Sequence, residues 1–332
     1  VVQESFLLVN EREIRSSVAL DLEALGVVEE GFRRLALGEA ILPPPMGIDV
    51  PDRHAEVHVK SAYVRGLPGF AVKVAAGFYQ NPNVGLPVSS GLMCLFSAET
   101  GRPLALLLDN AFLTEVRTAL AGAIAAKHLA RRKIETLGVL GAGMQARMQV
   151  EALRLVRPFR RVLVYGRRRE AVESYIADVS EKVGAEVIAA RSVSEVVRES
   201  DLMVTATPAR EPLVLPEDVH AGLHITAMGS DGPGKQELHP KVLARADRIV
   251  CDAKAQCLRL GELQHAAPAG IALDGIPIVE LGAIAAGIEP GRQDDEEVTI
   301  ADLTGVGVQD TAIACFAYER AVARGAGTLV EL

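Results

Sequence analysis

The segment that most constrains the fold is Leu137-Gly138-Val139-Leu140, which runs directly into Gly141-Ala142-Gly143-Met144-Gln145-Ala146 and then into a helical stretch from Met144 to Leu155. An apolar run that ends in Gly-x-Gly and continues as a helix is a strand–turn–helix unit. In such a unit Gly141 permits the tight turn, Gly143 lets a pyrophosphate approach the backbone, and Ala146 allows the helix to pack closely. The free N–H groups and positive dipole at the helix start complete a phosphate cradle. Gly141, Ala142, Gly143, Met144 and Gln145 are therefore expected at a dinucleotide.

The surroundings extend that unit into a layer. Strand-like runs at Thr136–Leu140, Arg161–Tyr165, Ala185–Ala189, Leu202–Ala206, His224–Met228, Arg248–Cys251 and Val298–Asp302 alternate with helical stretches. This alternation signals an α/β doubly wound parallel sheet. The preceding part differs. Apolar residues Ile14, Val18, Leu22, Leu25, Val28 and Phe32 recur at three- and four-residue spacings across Asn10 to Leu37, predicting amphipathic helix. After Pro43-Pro44-Pro45 come strand-like segments at Glu56–Tyr63, Gly69–Ala75, Gly91–Ser97 and Pro103–Asp109, the last two joined by a short turn that suits a hairpin. A closing helix over Asp310–Arg324 follows the sheet and is free to return to the first domain. The expected division is a dinucleotide-binding domain at 130–309 and an α+β domain built from 1–129 and 310–332.

At 332 residues the chain matches two domains of roughly 100 to 200 residues each. With 49% hydrophobic and 23% charged residues it has globular rather than disordered composition. The formal net charge is −8, and basic residues cluster only at Arg131-Arg132-Lys133 and Arg167-Arg168-Arg169, so a nucleic-acid partner is not expected. No apolar run reaches the length of a membrane span, and Val1 to Asn10 lacks the pattern of a secretory signal, so a soluble cytoplasmic protein is expected. Cys94, Cys251, Cys257 and Cys315 show no CxxC spacing and no Cys/His cluster, so neither a metal site nor a disulfide is expected.

The end of the second strand of such a sheet commonly carries an acid for the adenosine ribose. Here Tyr165-Gly166-Arg167-Arg168-Arg169 offers guanidinium groups instead, with Glu170 beside them. Arg167 and Arg168 can pair with a 2'-phosphate, which points to NADP, with NAD as the alternative.

Several stretches together resemble the ornithine cyclodeaminase and mu-crystallin family over most of the chain. They are Phe70-Ala71-Val72-Lys73-Val74, Thr114-Glu115-Val116-Arg117-Thr118-Ala119, the glycine turn, Met228-Gly229-Ser230-Asp231 with Gly234-Lys235-Gln236-Glu237-Leu238, Leu260-Gly261-Glu262-Leu263, and Asp302-Leu303-Thr304-Gly305-Val306-Gly307-Val308-Gln309-Asp310. Lys73 to Thr118 is most similar to a branch that accompanies ectoine utilisation, and the Gly-Lys-Gln-Glu-Leu run to iminosuccinate reductases. The resemblance implies a homodimer whose split N- and C-terminal domain binds substrate and pairs subunits. It implies NAD(P)-dependent chemistry at the α carbon of a small amino or imino acid, by an imine reductase or amino-acid dehydrogenase. Cyclodeamination of a diamino acid with internal cofactor recycling and a non-catalytic, crystallin-like NADP-binding role are the alternatives.

By the same resemblance Lys73 and Arg117 hold the substrate carboxylate, as charge-assisted hydrogen bonds require. A structural pair of Arg117 with Glu115 or Asp109 is the competing reading. The family's third cation falls at Met46, which cannot serve. Lys60 and His58 stand where a substrate side chain is met, and a cation at Lys60 argues against ornithine; alternatively both line the wet face of a sheet. Asp231 is expected to handle the proton at the substrate nitrogen, with Lys73 as a second catalytic group, although a turn role before Gly232-Pro233-Gly234 suits Asp231 as well. Lys235 and Glu237 read as local pairs. Thr207 and Gly229 are assigned to the cofactor with the glycine turn.

Overall fold

A computed structural model describes residues 5–331. The chain begins with β1 (Ser5–Asn10), α1 (Glu11–Ser17), α2 (Leu22–Ala36), β2 (Ala40–Ile41), β3 (Met46–Val50), β4 (Ala55–Val64), β5 (Gly69–Phe78), β6 (Ser89–Ser97), β7 (Pro103–Leu108) and α3 (Phe112–Leu129). It continues with β8 (Thr136–Leu140), α4 (Met144–Arg154), β9 (Arg161–Tyr165), α5 (Arg169–Val183), β10 (Glu186–Ala189), α6 (Val193–Glu199), β11 (Leu202–Thr205) and β12 (His224–Ala227). Then come α7 (Pro240–Leu243), β13 (Arg248–Cys251), α8 (Lys254–Leu260), β14 (Ile278–Glu280), α9 (Leu281–Ala285), β15 (Thr299–Asp302), α10 (Gly307–Ala323) and β16 (Thr328–Glu331).

Two compact units emerge, one running through Arg117 and resuming at Val306, the other spanning Thr118–Gly305. Of the boundaries drawn from sequence, 129 coincides with the end of α3 and 310 falls inside α10; the structure changes unit within α3 and just ahead of α10. A helix that passes through a boundary without a break leaves no compositional mark there. No helix among the described residues is long and apolar enough to cross a membrane.

The first unit is built on a sheet ordered β16-β1-β7-β6-β5-β4-β2, with β3 also paired to β4. The expected hairpin is present, β6 pairing antiparallel with β7 across a turn in which Gly101 adopts φ +70. The helical stretch predicted over Asn10 to Leu37 forms as two helices. Val18 ends α1 in extended backbone, and the Asp21 side chain accepts the Ala24 N–H to start α2 afresh. Sequence pattern also passed over β1 and β16, whose pairing joins the two ends of the described chain: Phe6 lies opposite Val330.

Helix α10 packs on β4, β5 and α2. Its first turns are stitched to the sheet: Thr311 Oγ1 donates to Ala62 O at 2.7 Å and accepts from Ala71 N at 3.1 Å. The helix lies so close that a Cβ at Gly307 would sit 2.1 Å from Ser61 O. Only glycine fits that approach.

The second unit carries an eight-stranded sheet, all of it parallel, ordered β10-β9-β8-β11-β12-β15-β13-β14. It is the doubly wound α/β layer that the alternation predicted, buried on both faces as parallel sheets are. The order reverses direction at β8 and β11, the point at which ligands of such sheets bind.

Gly307→Ala is expected to lower the unfolding free energy by about 1–3 kcal/mol through overpacking, although alanine is the better helix former. Urea unfolding measures it; an unchanged midpoint would mean that α10 can move off β4 at no cost.

Candidate active site

In the first unit the pleat decides which side chains share a face. Lys60 on β4 lies directly opposite Lys73 on β5, and Lys73 opposite Met93 on β6, so all three project to the side on which α10 packs. Lys60, Lys73 and Arg117 are buried, and Asp310, in the first turn of α10, is completely so. Asp310 joins two of them. Its Oδ1 accepts from Arg117 Nε at 2.9 Å, and its Oδ2 lies 3.3 Å from Lys73 Nζ. The ion pair of Arg117 is thus with Asp310 and not with Glu115 or Asp109, the partners suggested by sequence proximity. Gln309 adds a backbone tie, donating from Nε2 to Arg117 O at 3.3 Å.

Burial pulls the Lys73 ammonium down to about 7; Asp310 opposes this, while Arg117 and Lys60 add to it. Asp109, at the end of β7, accepts the Leu113 N–H at 2.8 Å and so fixes the start of α3, the helix that carries Arg117. Burial pushes its carboxyl up to about 6. The following Asn110 and Ala111 hold φ of 50 and 67, a left-handed pair of the kind that functional turns tolerate. His58 lies on the Lys60 face, 3.7 Å from Glu56. Met46 pairs with Val59 and therefore projects to the other face of the sheet from Lys60 and Lys73, 55% exposed.

In the second unit the glycine turn has the geometry that its sequence implied. Gly141 adopts φ +114, and a Cβ there would meet Ala206 O at 2.6 Å. Gly143 caps α4 without a side-chain hydrogen bond, and a Cβ built on it meets nothing within 4 Å. Ala146 is fully buried, whereas Met144 is 59% exposed. Gln145 Oε1 accepts from the buried Gln149. An uncapped helix start with open space before it fits a dinucleotide pyrophosphate. Beyond β9, Arg167 and Arg168 are exposed, while Arg169 is engaged with Glu173 at 2.8 Å.

Past β12, Asp231 lies at the carboxyl edge of the sheet, 35% exposed at its side chain, with Oδ1 2.7 Å from the buried Lys235 Nζ. Glu237 is no local pair. Fully buried, it accepts from Thr205 Oγ1 at 2.5 Å, Thr207 N and Oγ1 at 2.7 Å each, and Gly229 N at 2.7 Å. Thr207 and Gly229 therefore direct these polar groups to Glu237. A Cβ at Gly229 would lie 2.1 Å from Thr207 O, so this junction admits only glycine.

Two further acids repeat the device. Glu262 accepts the N–H groups of Glu237 and Leu238, and Asp302 those of Glu262 and Leu263. Burial pushes all three carboxyls up, Glu262 well above its ordinary value with Glu237 and Asp302 adding to the effect, and Asp302 to about 7. Sequence reasoning missed the roles of Asp310, Glu237, Glu262 and Asp302. For Asp310 a signal existed: a lone acid in the otherwise apolar or neutral run from Leu303 to Tyr318 must find a buried cation.

The chain as a whole has counterparts among known proteins. Residues 4–325 match the model of the ornithine cyclodeaminase/mu-crystallin family, and the chain belongs to that family. It is 46% identical over 325 residues to an uncharacterized cyclodeaminase of Sinorhizobium fredii, covering 98% of each chain. The Δ1-pyrroline-2-carboxylate reductase of Thermococcus litoralis, solved with NADH and L-proline, superposes with a TM-score of 0.93 at 30% identity, over 98% of this chain and all of that one. An archaeal alanine dehydrogenase dimer with bound NAD gives 0.91 at 36% identity, over 99% of both chains.

Proposed function

We propose that this protein is an NAD(P)-dependent oxidoreductase acting at the α carbon of a small amino or imino acid, as an imine reductase or amino-acid dehydrogenase. The observation that carries the reading is the buried pairing of Lys73 and Arg117 with a single carboxylate, Asp310. Two cations sharing one anion retain positive charge for a substrate α-carboxylate, and burial strengthens that attraction. Gly141–Gln145 would hold the dinucleotide, which when bound would supply or accept hydride at the α carbon. In amine oxidation the substrate nitrogen gives a proton to Asp231; in reduction Asp231 favours the iminium and returns the proton. Lys235 steadies that carboxylate. In this assignment the first unit holds the substrate and the second the dinucleotide.

Lys60 directs the side-chain preference. A buried ammonium directly across from Lys73 favours an acidic or neutral side chain and opposes a second substrate amine. Cyclodeamination is the second reading, favoured by the cyclodeaminase name of the Sinorhizobium fredii relative. It requires a diamino acid and leaves no net change in the cofactor, so net nicotinamide absorbance change separates the two.

The expected outcome is steady-state turnover of an amino acid, or of a 2-oxo acid with an amine, read by nicotinamide absorbance. Asp231→Asn should lower kcat by about 10²-fold or more with dinucleotide affinity preserved. A near-normal kcat in that variant would reduce Asp231 to a turn residue.

NADP is proposed as the preferred cofactor, supported by the exposed Arg167 and Arg168 where an acid would select NAD. The Thermococcus litoralis reductase and the archaeal alanine dehydrogenase were solved with NADH and NAD, so a preference for NADP would set this protein apart from them. Arg167→Ala should weaken NADP binding by about 1–3 kcal/mol and leave NAD nearly unchanged. Equal losses for both cofactors in titration calorimetry, or a wild type that prefers NAD, would reverse the assignment.

The protein is further proposed to be a homodimer. Val59, Val74, Leu92 and Leu106, with Met46 and Ile48 at the β3 side, share the sheet face turned away from α10, and none of them is fully buried. A broad apolar face of this kind marks an association surface, and the archaeal alanine dehydrogenase is a dimer. Light scattering should give twice the chain mass, and Val74→Asp should give the single-chain mass. A monomeric wild type would remove the proposal.

A further inference from the structure

The carboxylate of Asp310 divides its labour between two cations. Oδ1 is engaged by Arg117 Nε at 2.9 Å, so this bond uses neither Nη group, the pair of parallel donors with which a guanidinium meets a planar anion. Oδ2 has no directed hydrogen bond among the described residues and meets Lys73 only as an ion pair at 3.3 Å. Asp310 cannot drift, because its helix is locked on both sides. Thr311 bonds to Ala62 and Ala71, and Gln309 bonds through Oε1 to Val306 N at 2.8 Å and through Nε2 to Arg117 O.

We infer that Asp310 is the positioning residue of the carboxylate site: one oxygen aims the Arg117 guanidinium, and the other is a loose counter-ion that Lys73 exchanges for the α-carboxylate of an arriving amino or imino acid. The inference rests on the substrate class proposed above. Its electrostatics follow from the groups that face Lys73: Lys60 from β4, Arg117 from α3 and Asp310 from α10, with Asp109 beyond them at the end of β7, while the β6 neighbour Met93 is uncharged. Of the two acids Asp310 is the one in direct contact, and it holds the Lys73 proton against burial and two like charges. Without it the ammonium titrates below its present value of about 7. The falling limb of kcat/KM, which reports the free enzyme, then moves to lower pH.

The test has a readout that needs no substrate. In protein labelled at the ε-carbon of lysine with carbon-13, the Lys73 resonance is identified by its loss in Lys73→Met and followed with pH. In Asp310→Asn its midpoint should fall. KM should rise by about ten- to a hundredfold, the effect of one lost charge-assisted contact, and exceed the change in kcat. Dinucleotide affinity should stay within about twofold, because the glycine turn is untouched. Asp310→Glu serves if the asparagine variant fails to fold: it keeps the charge and so the Lys73 midpoint, but displaces Arg117 and so raises KM. A folded Asp310→Asn with an unchanged Lys73 midpoint, or a folded Asp310→Glu with wild-type KM, overturns the inference. A falling midpoint in a protein that turns over no amino or imino acid supports the Asp310–Lys73 coupling and sinks the functional reading alone.

Discussion

A charge withdrawn from water must be matched, and in the first unit this requirement organises the architecture around Asp310. Lys73 and Arg117 sit on β5 and near the start of α3, both within the first 117 residues, whereas their counter-ion arrives almost 200 residues after Arg117 on α10. Breaking such a pair by removing one partner typically costs about 3–5 kcal/mol, because the other charge is stranded. The chain therefore has reason to bring α10 onto the sheet with little freedom in position. Gly307 allows the approach and Thr311 secures it between β4 and β5.

The second unit meets an equivalent requirement by different means. The carboxyl edge of a parallel sheet is a set of strand ends with unpaired backbone groups, and a ligand site there needs them held still. Glu237 collects donors from the segments after β11 and β12, Glu262 collects the N–H groups of the Glu237 segment, and Asp302 those of the Glu262 segment. Each acid fastens the backbone of the next. Asp252 continues the pattern, accepting Gly305 N at 2.5 Å and Thr304 Oγ1 at 3.0 Å. Four buried acids that bind backbone rather than solvent make the sheet edge rigid, while Asp231, on the same edge, keeps part of its side chain exposed.

These two arrangements give the buried titratable groups contrasting characters. Glu237, Glu262 and Asp302 are each held by two or more hydrogen-bond donors, and burial raises their proton affinity, with Glu237 and Asp302 adding to the effect on Glu262. Lys73, by contrast, lies near neutrality with one long ion pair, a state that a bound carboxylate can change at small cost. The proposed chemistry assigns the proton to the partly exposed Asp231 and the substrate carboxylate to Lys73 and Arg117, and leaves the acids that bind backbone to hold the geometry.

By itself the sequence determined what is local. The strand–glycine–helix unit at 136–155, the strand ends at Thr136–Leu140, Arg161–Tyr165 and Arg248–Cys251, and the parallel character of the middle of the chain all follow from apolar periodicity and glycine spacing, which act within about twenty residues. Lys73, Arg117 and Asp231 were legible as candidates only as residue types in familiar surroundings. What they touch was decided by tertiary structure. Asp310 meets Lys73 across 237 positions, Thr207 and Gly229 meet through Glu237, β1 pairs with β16, and Met46 turns away from the lysines because its register on β4 puts it on the other face. The physical reason is common to all of them: local pattern sets which face of an element is apolar, but a buried polar group is satisfied by whichever partner packing brings within reach, and that partner's distance along the chain leaves no trace in either segment.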